Sequence, residues 1–120
     1  MQRLFLILAI LGSGAAAADE AMPSRQNLLK QVTSLPTNPV LTNVIRVEFP
    51  ADYKTPSHTH EGQGPRYIVK GHLKITDEVK SQVYGPGDVF WETGEAMTVE
   101  NVGGNDAEFI IFELVPIAAK

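Results

Sequence analysis

Cysteine is missing from this sequence. That excludes disulfide cross-links, thiolate metal ligands, a cysteine nucleophile and a lipid-modified cysteine anchor, so the folded part has to be stabilised by its core. Basic clusters are missing too. Ten Lys and Arg face fourteen Asp and Glu, and the basic residues are scattered from Arg3 to Lys120 without a run. Nucleic-acid binding and attachment to an anionic membrane surface both need a concentrated basic footprint, so neither is expected. No serine sits in a Gly-x-Ser-x-Gly elbow. No glycine-rich loop opens a helix where it could cradle phosphate, because Gly62-x-Gly64 precedes a strand pattern. Helical periodicity is almost absent, and no segment repeats.

The one long apolar run stands at the start. Arg3 supplies a short basic head, residues 4–11 are apolar, and residues 12–18 are small, ending in Ala16-Ala17-Ala18. This is the layout of a secretory signal peptide, with cleavage expected after Ala18. The run is shorter than the roughly 20 apolar residues of a permanent span, so no stable membrane anchor is expected. The expected location is the periplasm or outside the cell. Cleavage removes one arginine and leaves nine basic against fourteen acidic side chains, a net charge of −5.

Residues 19–42 are polar and hold Pro23, Pro36 and Pro39. They read as an N-terminal arm, with one short helix possible over residues 25–32. From Asn43 the chain becomes short β-prone runs separated by Gly and Pro. Strands are expected at residues 44–49, 57–60, 66–75, 81–84, 89–91, 97–101 and 108–115. Such punctuation indicates an all-β sandwich or barrel, as a single domain over residues 43–116. In Phe109-Ile110-Ile111-Phe112 apolar side chains occupy both faces of one strand, so a second copy of the chain is the expected cover for the outer face.

The chemistry concentrates at Pro56-Ser57-His58-Thr59-His60. Side chains two apart on a strand share a face, so His58 and His60 can present two imidazoles to one metal ion. Nitrogen donors of this kind suit iron, manganese, nickel, copper or zinc. Gly71 follows His60 by eleven residues, and a second block runs from Gly87 through Gly94 to Asn101. These two blocks resemble the motifs of the cupin superfamily: a paired histidine followed by glutamate and glycine, then glycine, proline-x-glycine, histidine and asparagine. The resemblance covers residues 50–112 and implies a cupin-type jelly-roll β-barrel, a homodimer, and a small-molecule site in the barrel mouth. The family's metal site has three histidines and one glutamate. In direct register, Gly64 stands at the glutamate position, Met97 at the third histidine and Glu92 at the proline.

Two site readings follow. In one, His58 and His60 hold a divalent transition metal with help from Gln63, Glu92 or Glu95, or hold copper(I) with the Met97 thioether. The chemistry would then resemble a dioxygenase or isomerase. In the other, the metal is lost and the barrel binds a small ligand without turnover. Arg66 shares the inner parity with Gly64 and Ile68; it either orients an anionic ligand or stands at the rim beside a glutamate. His72 takes the outward parity, and Trp91 is expected to pack against the core.

Overall fold

The computed structural model describes residues 22–35 and 38–117. The expected signal segment and its cleavage point lie outside these residues. Seven strands form two antiparallel sheets: β1 (Val40–Phe49), β2 (Gly64–Lys70), β3 (Leu73–Thr76), β4 (Ser81–Tyr84), β5 (Val89–Glu92), β6 (Thr98–Asn101) and β7 (Ala107–Pro116). One sheet has the order β1-β7-β2-β5 and the other β4-β3-β6. The chain is therefore all-β, as expected, in a jelly-roll arrangement of two facing sheets. Among the described residues the sheets are not hydrogen-bonded into a closed barrel.

The core lies between the sheets. Phe49, Ile68, Leu73, Phe90, Met97, Val99, Ala107, Phe109 and Ile111 are all buried there. Those on strands each come from one parity, and Met97, one residue before β6, keeps the parity of Val99, so the pleat itself sorts core from surface. Phe49 and Phe109 pack edge to face with centroids 5.3 Å apart. Fully burying an aliphatic side chain such as Ile68 or Leu73 stabilises the fold by about 1.5–3 kcal/mol.

Three local expectations need correction. Residues 25–32 form no helix. Exposed Leu28, Leu29 and Val32 make no apolar stripe against a partner, and an isolated eight-residue helix in water is not stable. Residues 66–75 are not one strand: β2 ends at Lys70, β3 starts at Leu73, and the two belong to different sheets. The chain turns at Gly71, where φ is +84° and a Cβ would stand 2.6 Å from that of Ala107. Only glycine fits so tight a crossing. Finally, β1 begins at Val40, three residues before the expected boundary, because β7 extends to Pro116 and gives Val40 a partner.

The segment joining β1 to β2 positions the histidines. It runs antiparallel along the free edge of β6. Asn101 N–H donates to Tyr53 O (2.8 Å), Thr55 N–H to Val99 O (2.9 Å), and His58 and Met97 exchange two bonds of 3.0 Å each. The expected strand at 57–60 is thus a single bridge at His58 within a longer edge segment. Asn101, buried in the family's asparagine position, staples this loop: its Nδ2 donates to Phe49 O, Pro50 O and Asn105 O, and its Oδ1 accepts from Gly103 N–H.

Candidate functional site

The two histidines share one face. Their Nε2 atoms lie 3.1 Å apart and their ring centroids 4.8 Å apart. The Nδ1 of His58 stands 2.8 Å from Pro56 O, so its proton goes to that carbonyl and its Nε2 lone pair points away from it. The pair borders a cavity of about 190 Å³. Its wall is mostly apolar, from Val47, Phe49, Phe90, Phe109 and Ile111, and Arg66, Glu92 and Met97 complete it.

Burial sets the charge states. It lowers the His60 pKa below the usual 6.5, and the positive charges of Arg66 and His58 push the same way against Glu113. It raises the Glu92 pKa above the usual carboxylate range, opposed by the Gly94 N–H and by Arg66. Glu92 Oε1 accepts that N–H at 3.0 Å. Both groups are therefore biased towards their neutral forms.

Arg66 is inward and only 1% exposed, so the rim reading is excluded. Its guanidinium is largely spent on the protein: one nitrogen donates to Gly64 O (3.0 Å) and Phe112 O (2.9 Å), the other reaches Gly62 O (3.5 Å) and stands 3.9 Å from Glu113. It ties the entry of β2 to β7 as well as bordering the cavity. Met97 is directly opposite His58 and hence on its face, buried in the same wall. Gln63 does not join them. It pairs with Leu114 and lines a separate cleft beside His60. Glu95 is exposed and borders a different cavity. His72 is exposed, as its parity predicts. Trp91 is half-buried on the outer parity of β5, not in the core.

The donor set is a partial fit to a metal. Two metal–nitrogen bonds of about 2.0–2.1 Å at ordinary ligand angles put the nitrogens about 3 Å apart, which the histidine pair meets. Among the described residues, no group of three His, Cys, Asp or Glu is gathered closely enough to hold an ion. Glu92 borders the same cavity without joining such a group. The family's glutamate has no room to return: a Cβ on Gly64 would lie 2.0 Å from Phe112 O. Closeness of β2 to β7, not only the change of residue, removes that ligand. The sequence does not reveal this, because nothing local to Gly64 signals the neighbouring carbonyl.

Comparison with known proteins agrees with the geometry. No protein-family model and no curated protein matches the chain. Solved structures do. A predicted oxalate decarboxylase from Thermotoga maritima is 29% identical with a TM-score of 0.54, over 61% of this chain and 65% of that one. An RmlC-like cupin with a double-stranded β-helix fold from Methanocaldococcus jannaschii is 18% identical with a TM-score of 0.57, over 77% and 85%. A cupin domain from Schizosaccharomyces pombe is 16% identical with a TM-score of 0.58, over 71% and 59%. The chain thus spans under two thirds of the Thermotoga and Schizosaccharomyces chains. With its two facing sheets, it shares the cupin-type fold of these structures.

The Gly64 geometry makes a direct prediction. Gly64→Glu, which restores the family's residue, will destabilise the protein by at least about 3 kcal/mol in urea unfolding, because β2 and β7 must part. A folded Gly64→Glu protein of wild-type stability would refute the assigned closeness.

Proposed function

We propose that this protein is an exported, homodimeric cupin that binds a small organic ligand over a divalent transition metal held by His58 and His60. The observation that carries the metal is the 3.1 Å separation of the two Nε2 atoms, with His58 oriented through Pro56. Lowered basicity at His60 supports it, because a ligand imidazole must be neutral. With two protein nitrogens, a bound ion would keep open positions, and at those it would polarise a ligand as a Lewis acid. The apolar wall would hold the ligand's carbon skeleton, and the edge of Arg66 would favour a carboxylate at the polar end.

A second reading has its own support. At 3.1 Å one imidazole can also donate directly to the other, which satisfies both rings without an ion. In that state the cavity binds its ligand without metal and without turnover.

Metal analysis separates the two. The purified chain should carry about one transition ion, or bind Zn²⁺ or Ni²⁺ at that ratio. A His58→Ala/His60→Ala variant should weaken binding at least 100-fold, and His72→Ala should not. Folded protein with no saturable ion binding would leave the metal-free reading.

The homodimer rests on the outer face of the larger sheet. Val44 is paired with Phe112, and Tyr67 with Ile110, on the face turned from the core. Val44, Tyr67, Val69 and Phe112 are all exposed. Monomeric proteins rarely leave so continuous an apolar face in water. Light scattering should give twice the chain mass, and Phe112→Arg should return it to the monomer. A wild-type monomer at micromolar concentration would remove the proposal.

Export rests on the N-terminal segment alone. Mass spectrometry of the protein from its native host should find a chain starting at Asp19. An intact Met1 end would overturn it.

A further inference from the structure

The two open sides of the sandwich are treated differently. On one, the loop carrying His58 and His60 runs along β6 and then pairs Gln63 with Leu114 of the other sheet. On the other, β4 and β5 are the edges of their sheets and are not paired with each other. This seam holds a cavity of about 310 Å³, larger than the one beside the histidines. Leu29 and Gln31 of the arm border it. Phe90, Glu92 and Met97 form its boundary with the histidine cavity, since they line both.

The composition of the seam is specific. Tyr84 and Phe90 pack as a tilted pair with centroids 5.2 Å apart, and Trp91, on the opposite parity of β5, also borders the cavity. Asp77, Glu92 and Glu95 bring three carboxylates against the single ammonium of Lys80. Asp77 is fixed by the backbone N–H groups of Val79 and Lys80, both at 2.8 Å. Glu92 is only 4% exposed, and among the described residues its side chain takes one hydrogen bond, from Gly94 N–H to Oε1. Its second oxygen is left for whatever enters the cavity it lines.

Aromatic faces attract a cation through their quadrupole, most strongly where water is excluded, and carboxylates at the same wall add direct attraction. An organic anion would meet Glu92 and Glu95 instead. A neutral molecule would gain only apolar burial. We propose that the β4–β5 seam is a second binding site, distinct from the histidine pair, that takes a small alkylated ammonium compound. The rings of Tyr84 and Phe90 supply the apolar and cation–π wall, and Glu95, joined by Glu92 once a cation favours its ionised form, supplies the counter-charge.

Trp91 is the single tryptophan of the chain and lines the seam but not the histidine cavity, so its fluorescence reports on this site. The test titrates the full chain, at matched ionic strength and with EDTA present, with three probes of one shape: choline, its uncharged carbon analogue 3,3-dimethylbutan-1-ol, and 3,3-dimethylbutanoate. Choline should give a saturable change at least tenfold tighter than the alcohol, and the carboxylate should give none. Glu92→Gln should weaken choline at least tenfold, and Lys80→Gln should tighten it several-fold. If Glu92→Gln fails to fold, exposed Glu95→Gln should still weaken choline about threefold. Equal binding of the alcohol or the carboxylate, absence of a saturable choline response, or choline affinity unchanged in all folded variants would overturn the site. EDTA keeps the result independent of any metal at His58 and His60.

Discussion

The reciprocal backbone pairing of His58 with Met97 is the constraint on which the site depends. Two bonds at that position fix the register of the β1–β2 loop on β6, and side-chain direction on a paired strand alternates with a period of two. A slip of one residue would turn Thr59 inward and both imidazoles outward. Two further bonds, from Thr55 N–H to Val99 O and from Asn101 N–H to Tyr53 O, hold the earlier part of the loop on β6 around the Lys54–Glu100 pair, in a register one residue away from that at His58. Asn101 then closes the arrangement by tying the end of β1 to the β6–β7 turn.

Behind the histidines, the interior keeps titratable groups in a guarded state. His60 has a lowered pKa, so its contribution to stability is present above about 6.5 and is lost as pH falls through its folded value. Glu92 has a raised pKa, and its contribution is present at low pH and lost as pH rises through its folded value. Arg66 remains charged because backbone carbonyls replace the water it has lost, with Glu113 nearby. A cation on either side of Glu92 would favour its ionised form, and Glu92 lines the cavity on each side.

The sandwich is closed unevenly. A loop with backbone hydrogen bonds to both sheets covers the histidine side. The opposite seam is bordered by the arm, for which no backbone hydrogen bond to a strand occurs among the described residues. Segments held by few backbone bonds open at lower free energy than paired strands. The fold thereby provides one firmly held wall and one more easily opened, with Phe90, Glu92 and Met97 between the two cavities.

Much of the fold could be read from order and punctuation. Short β-prone runs between Gly and Pro, without helical periodicity, specify an all-β sandwich, because turn chemistry and the pleat act over a few residues. The same two-residue period places His58 with His60, Arg66 with Ile68 inside, and His72 outside. Other features depended on chain segments far apart in sequence. Whether Arg66 meets a ligand or a carbonyl was decided by β7, 46 residues away. Whether Gly64 can carry a side chain was decided by Phe112 O. Gln63 was drawn out of the site by pairing with Leu114, and the strand expected across Gly71 was split by its contact with Ala107. Local sequence determined which way side chains point along each strand, because that is a property of the backbone pleat. Tertiary structure alone decided what they meet, because close packing brings distant strands together in a register that no short window contains.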